Sequence, residues 1–424
     1  MKFKIKDSFS AYNGLPQEIY LLFTARIITS IGSFVLPLLT LILSQKLGMS
    51  ETETGNFSAL LILSQGPCLL LGGKLIDAVG QKKMLVFCQT LGALFYFMCG
   101  FTKDHTTLLV FVMIAADLFV AASPAYQTMV ARLTVPDNRK ASYSLLYLGI
   151  NIGMAVSPLI GGLLFEKHLP LLNILDAGTT LLSTGLIALY IRLPKENRRK
   201  DTDPAAPAET GRDAFSIVVL KNTPVLLFFL LFLFVFDFTY IQWSFMLPLQ
   251  FHELYGSNGA RFYSFISIVN PVICTVFTPL LTKLTAKYHP LAVVTGGGIC
   301  YFASYALFAF AKNIPLFLIA GTLYTFGEIL IVINIGAFIA EHSPGAYLGR
   351  MNAVRLFLQG TANALGPLVM GRVLPFSGYR FSWLLVAAVA LAGSVGMYFL
   401  NKEDSKVQAL PNGDGGDVFT EQIQ

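Results

Sequence analysis

Long apolar runs separated by short polar segments dominate the chain. Twelve of these runs are long enough to cross ~30 Å of hydrocarbon, which takes a helix of ~17–25 residues. They cover residues 19–43, 54–73, 84–101, 107–131, 143–165, 170–191, 223–248, 261–284, 291–311, 315–340, 351–374 and 380–400. Within lipid a helix satisfies all of its own backbone hydrogen bonds. The pattern therefore predicts an all-α integral membrane protein with twelve transmembrane helices.

One polar stretch divides this pattern into two halves of six runs each. Residues 193–222 are rich in Pro, Ala and charged side chains, a composition that buries too little apolar surface to fold. We therefore predict an N-terminal six-helix bundle over residues 1–192, a cytoplasmic linker over 193–222 and a C-terminal six-helix bundle over 223–401. The polar segment 402–424 is predicted to be a disordered cytoplasmic tail.

Composition excludes several classes of protein. Hydrophobic residues make up 54% of the chain and charged residues only 13%, against roughly 25% in soluble domains. The net charge of +6 is small, so nucleic acid is not an expected partner. No GxxxxGK[ST] sequence, pair of histidines at metal-ligand spacing or nucleophile–base constellation occurs. We expect a protein that is not an enzyme, binds no metal or cofactor, and draws its energy from a proton gradient.

The basic residues are placed asymmetrically between the two sides. With the N-terminus inside, 22 of the 30 Lys and Arg residues lie in inner segments or near the inner ends of the runs, and seven lie in outer loops or near the outer ends. Cytoplasmic loops of membrane proteins carry such an excess of Lys and Arg. The chain is therefore predicted to be a multi-pass protein of the plasma (inner) membrane, with both termini in the cytoplasm.

The polar segment between the second and third runs carries a motif. It reads Gly73-Lys-Leu-Ile-Asp77-Ala-Val-Gly80-Gln-Lys82-Lys83 and resembles the GxLxDxxGrk signature of the major facilitator superfamily. The resemblance implies two pseudo-symmetric six-helix bundles around a central cavity, and a cytoplasmic gate in which Asp77 takes part. Glycines permit a tight reversal between two helices, and the two lysines suit the cytoplasmic membrane surface.

The fifth run carries a second motif, Gly153-xxx-Ser157-Pro158-xx-Gly161-Gly162. It resembles the GxxxGPxxGG signature of the bacterial twelve-helix drug:proton antiporters, with Ser157 in place of a glycine. The fourth run lacks the Arg that those antiporters carry. Small residues at a four-residue spacing allow another helix to approach closely, so helix packing is an alternative role for this motif.

Ionisable side chains inside the apolar runs are few. They include Arg26, Asp117, Asp237 and Glu328. Each costs ~2.5–3.5 kcal/mol on insertion scales, which makes a functional or paired role the expectation. Tyr240 shares a helix face with Asp237, and Tyr324 shares one with Glu328. The superfamily resemblance places all six side chains on cavity-lining helices. We predict that Asp237 and Glu328 couple protons to transport, whereas Arg26 and Asp117 form either an ion pair or a functional site.

These features predict a proton-coupled secondary transporter that works by alternating access. Three acidic groups against one basic group favour cations, and many Phe, Tyr and Met residues suit loose recognition of apolar ligands. Export of hydrophobic, often cationic compounds is the leading hypothesis. Expected partners are a small-molecule substrate, protons and the lipid bilayer, and a monomer is expected. The alternatives are a proton-coupled importer of small peptides, sugars or other nutrients, and a membrane receptor or scaffold that transports nothing.

The predicted orientation can be tested by cysteine labelling. In a variant whose five native cysteines are replaced by alanine, Thr202→Cys and Glu421→Cys should react with an impermeant maleimide only from the cytoplasmic side. Glu51→Cys should react only from outside, because an odd number of helices separates it from the N-terminus. Labelling of Thr202→Cys in intact cells would contradict the twelve-helix topology.

Overall fold

The structure is a computed structural model that describes residues 12–194, 223–343 and 348–409. Most of the predicted linker, and the predicted tail from residue 410 onward, therefore lie outside the described residues. The described chain is helical and contains no β-strand.

The first half contains six helical units. They are α1 (Gln17–Ile31, resuming as Leu39–Leu41 and the π-helical turn Ile42–Lys46), α2 (Glu51–Val79), α3 (Gln81–Cys99), α4 (His105–Leu133), α5 (Pro136–Leu164) and α6 (Leu169–Tyr190). Several begin with a side-chain cap. At the start of α4, the hydroxyl and the backbone N–H of Thr107 donate to Asp104 at 2.6 and 2.7 Å, which holds the pKa of that carboxyl below its usual range.

The second half repeats this arrangement. Its units are α7 (Pro224–Tyr240, continued as Gln242–Tyr255), α8 (Gly259–Ser267, continued as Val269–Thr285), α9 (Pro290–Phe310), α10 (Ile314–His342), and α11 and α12, which share the segment Leu348–Ala409. Gly378 divides that last segment, because its φ of 66° is non-helical and lies in a region that favours glycine.

Eight segments of the described chain are long and apolar enough to cross a membrane. Two of them, Pro224–Thr285 with 62 residues and Met351–Asp404 with 54, are each long enough for two crossings. The broken helix α1 and the 19-residue helix α3 bring the number of helical units to the predicted twelve. The predicted all-α membrane fold is thus confirmed.

One apolar core lies within the first half, and a larger one continues from the first half into the second. In the first half, α1 packs against α5 and α6, while α4 packs against α2 and α3. In the second, α9 packs against α10 and the α11–α12 segment. Successive helices alternate in direction, so the loops fall at two ends. The terminal end holds the beginning of α1 and the turn at Gly80, and the distal end holds the turns at residues 256–258 and Gly378.

The two halves are joined at the distal end. The Thr52 hydroxyl donates to the Gly371 carbonyl at 2.8 Å, and the Thr40 hydroxyl donates to the Ser244 carbonyl at 2.9 Å. Both bonds run from a side-chain hydroxyl of the first half to a backbone carbonyl of the second. Gly55 lets α2 touch α11, since a Cβ atom there would overlap the carbonyl oxygen of Pro367. The distal end is therefore closed.

The second bundle extends beyond its predicted end at residue 401. The last helix runs to Ala409, and Asp404 is only 3% exposed. Its carboxylate lies 3.2 Å from His289 Nε2 and 3.4 Å from His342 Nε2. These two contacts join the start of α9 and the end of α10 to α12. The first part of the predicted tail is thus a packed helical turn.

The small residues of the motif in α5 bring helices into contact. A Cβ atom on Gly153 would overlap Ser30 of α1, and one on Gly162 would overlap Ser264 of α8 in the other half. The Ser157 hydroxyl donates to the Ser33 carbonyl at 2.5 Å. Close packing of α5 against α1 and α8 is therefore one role of this motif.

Two glycine substitutions test whether the close contact of α5 with α1 stabilises the protein. One removes a glycine at that contact, and the other removes a glycine that contacts no neighbouring helix. Gly153→Ala should destabilise the protein by about 1–3 kcal/mol, because the added methyl group forces α5 away from α1. Gly185→Ala is the matched control, since a Cβ atom at that helical position would meet nothing within 4 Å. Thermal unfolding in detergent measures both, and equal melting temperatures for the two variants would contradict the packing role.

Candidate functional site

A break in α1 opens the helix near the middle of the first half. Residues 32–38 are not α-helical, and Pro37 lies within them. The freed backbone N–H groups of Phe34 and Val35 donate to Asp176 Oδ2 of α6 at 3.0 and 3.2 Å. Unsatisfied backbone groups are costly within a membrane, so this 4% exposed carboxylate stabilises the break. Interrupted helices that line a cavity are a common feature of transporter binding sites.

The broken segment faces a cavity between the halves. This inter-half cavity has a volume of about 480 Å³. Its wall includes Arg26, Ser30 and Ser157 from the first half, and Tyr240, Trp243, Asn270 and Tyr324 from the second. A second space of about 390 Å³, the C-half cavity, is lined by Asp237, Tyr240, Glu328, Asn352, Arg355 and Gln359 among others. Tyr240 belongs to both walls and separates the two spaces.

Glu328 lines the C-half cavity, and its two hydrogen-bond donors, Tyr240 and Asn270, line the inter-half cavity. Its Oε1 accepts a hydrogen bond from the Tyr240 hydroxyl at 3.0 Å, and its Oε2 accepts one from Asn270 Nδ2 at 2.5 Å. Both donors are neutral, and no Lys, Arg or His of the described residues pairs with this carboxylate. An ionised carboxylate in apolar surroundings is costly without a counter-charge. A proton or a cationic ligand would relieve that cost.

Aromatic rings surround Tyr324 beside this carboxylate. Its ring centroid lies 4.5 Å from that of Trp243, 5.6 Å from that of Tyr240 and 5.4 Å from that of Tyr301, all with interplanar angles of 24° or less. The Tyr324 hydroxyl donates to the Tyr240 carbonyl at 3.2 Å. The stack presents apolar area and π-faces to the inter-half cavity, a surface that attracts organic cations.

Asp237 has a basic partner that the sequence analysis did not predict. It lies 2.8 Å from Arg355 Nη1 and accepts a hydrogen bond from Arg355 Nη2 at 3.0 Å, in a two-point ion pair between α7 and α11. Both residues are less than 9% exposed. The expectation of three acidic cavity groups against one basic group thus needs correction, because Arg355 neutralises Asp237.

Arg26 and Asp117 are not paired with each other. The Asp117 carboxylate accepts a hydrogen bond from the Ser64 hydroxyl at 2.9 Å, and Arg26 stacks on Tyr126 with its Cζ 3.8 Å from the ring centroid. The sequence left two roles open for these residues, an ion pair or a functional site. The structure does not contain the ion pair between Arg26 and Asp117. Arg26 lines the inter-half cavity, which leaves a functional role for it as a proposal.

The motif between α2 and α3 forms a tight turn at the terminal end. Gly80 has a φ of 95°, and Gly73 lies about two turns earlier in α2. Lys82 Nζ donates to the Ile191 carbonyl at 2.8 Å and so ties the turn to the end of α6, whereas Lys83 is exposed. The side chain of Asp77 lies outside the described residues, so its gate role stays a prediction.

Sequence reasoning missed three residues of the site. Arg355 is a charged residue in an apolar run, spaced with Asn352 and Gln359 on one helix face, and that signal pointed to its burial but not to its partner. Asn270 and Trp243 carry weaker signals, because single amide and aromatic side chains are common within spans. Their positions beside Glu328 and Tyr324 depend on how α7, α8 and α10 pack.

The Asp237–Arg355 pair predicts a clear double-mutant result. Arg355→Gln alone should destabilise the protein by about 3–5 kcal/mol, because it leaves a buried carboxylate without its counter-charge. Adding Asp237→Asn should recover most of that loss, since two neutral amides can hydrogen-bond. Thermal unfolding in detergent measures each variant, with the exposed Arg372→Gln as the control. Additive losses in the double variant would contradict direct pairing.

Comparisons with known proteins agree on the kind of molecule. A family model described as Major Facilitator Superfamily matches residues 21–367 and 271–422. The "Uncharacterized MFS-type transporter YhjO" of Bacillus subtilis is 25% identical over 401 residues, covering 92% of this chain and 94% of that protein. The "Na(+), Li(+), K(+)/H(+) antiporter" of Planococcus maritimus is 21% identical over 406 residues, covering 88% and 93%.

A solved structure shares the fold. The nucleoside transporter NupG superposes with a TM-score of 0.76 at 15% sequence identity. The superposition covers 91% of this chain and all of that one. At this level of identity the likeness concerns the arrangement of the helices alone.

Proposed function

Because the chain belongs to the Major Facilitator Superfamily and is a multi-pass membrane transporter, we propose that it exchanges protons for hydrophobic cations. The transporter would expel these compounds across the plasma membrane as a monomer, without a metal or cofactor. Glu328 would hold either the proton or the cation. The observation that carries this proposal is Glu328 itself, a carboxylate in the wall of the C-half cavity. It has neutral hydrogen-bond donors and no basic partner among the described residues.

Exchange follows from the electrostatics of Glu328. Within apolar surroundings its free energy is lowered by one proton or by one cationic ligand, so the two compete for the same carboxylate. The transporter would then change its open side with Glu328 bound to a proton or to a cation, and seldom with Glu328 bound to neither. One proton is exchanged for one monovalent cation, so the cycle moves no net charge and the pH gradient drives it, at ~1.4 kcal/mol per proton for each pH unit. Tyr240 and Asn270 would hold the carboxylate in place in both states.

The aromatic stack supports organic rather than inorganic cations. Tyr324, Tyr240 and Trp243 offer flat apolar faces next to the carboxylate, which suits a cation with a hydrophobic body. The relative named as a Na⁺, Li⁺, K⁺/H⁺ antiporter motivates a second candidate, exchange of alkali cations. Such ions prefer several oxygen ligands, and the cavity wall around Glu328 is largely aromatic and apolar.

The contacts between the halves support alternating access. With both termini in the cytoplasm, the closed distal end would face outward, and the cavities would load from the cytoplasm. The glycine contact of α2 with α11 and that of α5 with α8 would separate when the cavity turns outward. The turn at Gly80, with Asp77, would then act at the cytoplasmic end as a gate.

The two alternatives differ from this proposal in what they require. An importer of peptides, sugars or other nutrients needs dense hydrogen-bonding groups around its ligand, whereas the wall of the C-half cavity around Glu328 is largely apolar. A receptor or scaffold has no need for a carboxylate without a counter-charge deep in the membrane. Uptake of such nutrients by proteoliposomes under a proton gradient tests the first, and the absence of any gradient-driven flux would support the second.

Glu328→Gln tests the coupling directly. In proteoliposomes with an imposed pH gradient, the variant should fail to accumulate tetraphenylphosphonium against its gradient, because its side chain holds neither a proton nor a cation. Binding of the same probe to wild-type protein should tighten as the pH rises and protons are removed from the carboxyl. Binding to Glu328→Gln should be independent of pH.

Two variants serve as controls for this experiment. Glu166→Gln removes a carboxylate paired with Lys46 at the distal end, away from the cavities, and should leave both properties intact. Asp237→Asn should reduce transport by leaving Arg355 unpaired, yet keep the pH dependence of binding. Wild-type accumulation by Glu328→Gln would rule out this residue as the coupling site.

A further inference from the structure

A groove runs along the outer surface of the first half, between α3 and α6. It has a volume of about 740 Å³ and is lined by one face of α3, with residues at helical spacings of three or four, and by Ala188 of α6. Phe87 and Leu94 line it and are 61% and 50% exposed. Gly185 of α6 also leaves open space, since a Cβ atom there would meet nothing within 4 Å. The groove shares no residue with the inter-half cavity or the C-half cavity.

Four basic side chains gather at the terminal end of this groove. Lys82 and the exposed Lys83 line it, and Lys82 donates to the carbonyl that follows α6. Arg192 is exposed at the end of α6, and Arg132 of α4 donates to the Pro194 carbonyl at 2.8 Å. No Asp or Glu of the described residues forms an ion pair with any of the four. This basic corner therefore carries positive charge that the described chain leaves without a counter-charge.

The length of the groove matches one leaflet of a bilayer. Lys83 and Leu94 lie eleven residues apart on α3, about 16 Å at 1.5 Å per residue. Half of a hydrocarbon core of ~30 Å is about 15 Å. Tyr190, at the end of α6, is 60% exposed, and such aromatic side chains favour the headgroup level of a membrane. An acyl chain that begins at the basic corner would therefore fill the groove as far as the midplane.

We propose that this groove binds an anionic phospholipid from the leaflet on the side of the chain termini. One acyl chain would lie along Phe87, Leu91 and Leu94, where an unfilled space would lose its dispersion contacts. The phosphate would contact Lys83 and the N–H donors of Lys82 that the backbone carbonyl leaves free, because basic side chains at the membrane surface attract anionic headgroups. The groove lies apart from Glu328, so the inference does not depend on the proposed function.

Three probes separate the headgroup from the acyl chains. Dioleoylphosphatidylglycerol has both features that the groove requires. Dioleoylphosphatidylcholine has the same chains on a headgroup without net charge, and glycerol phosphate has the anionic group without chains. Native mass spectrometry of the purified full-length protein gives the dissociation constant of the first lipid bound. Wild-type protein should bind the phosphatidylglycerol at least about fivefold more tightly than the phosphatidylcholine, and glycerol phosphate should displace neither lipid.

Lys83→Gln tests the charge of the basic corner. It should weaken binding of the phosphatidylglycerol by about fivefold, the effect of one basic residue near an anionic lipid surface, and leave binding of the phosphatidylcholine unchanged. Adding Lys82→Gln should weaken binding of the phosphatidylglycerol further. Lys283→Gln is the matched control, because Lys283 is an exposed lysine at the terminal end of the second half and does not line the groove. It should change neither affinity.

Ala188→Trp tests the groove itself. The indole would occupy the space of the acyl chain, so the affinity for both lipids should fall by about tenfold, as expected when a few methylene groups lose their buried contacts. Leu189→Trp is the matched control, on a neighbouring residue that is 74% exposed and does not line the groove. It should bind both lipids as the wild-type protein does. Thermal unfolding in detergent reports whether each variant is folded.

The other outcomes for the headgroup contradict the inference in distinguishable ways. Equal affinity of wild-type protein for the two lipids would mean that the groove takes acyl chains without regard to the headgroup. Displacement of the phosphatidylglycerol by glycerol phosphate would mean that the basic corner binds phosphate alone. Equal losses in Lys83→Gln and Lys283→Gln would mean that lysines anywhere on the terminal end attract anionic lipid without a defined site.

Two outcomes would contradict the assignment of the groove. Unchanged lipid binding in Ala188→Trp would mean that the acyl chain lies elsewhere. If that variant does not fold, the same result in Thr90→Trp, at an exposed position of α3 that lines the groove, overturns the inference equally. A dimer in lipid nanodiscs that Ala188→Trp separates into monomers would mean that a second copy of the chain covers the groove.

Discussion

Every polar group inside the hydrocarbon needs a partner, and this constraint explains most of the arrangement around the cavities. The break in α1 persists because Asp176 accepts two freed backbone N–H groups. Arg355 is tolerated in α11 because Asp237 lies opposite it on α7. Once these groups have partners, Glu328, Asp117 and Arg26 remain without counter-charges among the described residues. A proton or a cation would neutralise either carboxylate, whereas only an anion would neutralise Arg26.

Close backbone contact is the second constraint, and it determines how the halves meet. Gly55 and Gly371 let α2 and α11 touch at the distal end, and Gly162 does the same for α5 and α8. The hydrogen bonds of Thr40 to Ser244 and of Thr52 to Gly371 accompany this close backbone contact. A buried apolar cluster also includes residues of both halves.

Much of the fold was readable from the pattern of apolar residues. Twelve runs predicted twelve helices, and the resemblance of the α2–α3 turn to a superfamily signature predicted two six-helix bundles. The candidate site was only partly readable. Depth within a run singled out Glu328, Asp237 and Arg26 as costly charges, yet the same reasoning grouped Asp237 with Glu328. The structure separates them, since one is neutralised by Arg355 and the other is held by neutral donors.

The sequence by itself determined which segments enter the membrane, because hydrophobicity is a local property that each run carries alone. It also determined which residues are costly there. Only the tertiary structure decided how those costs are offset, because a partner such as Arg355 lies 118 positions away from Asp237 along the chain. Pairing depends on the rotation and depth of packed helices, and a difference of one residue turns a side chain by about 100° around the helix axis. No local pattern in the chain specifies that register.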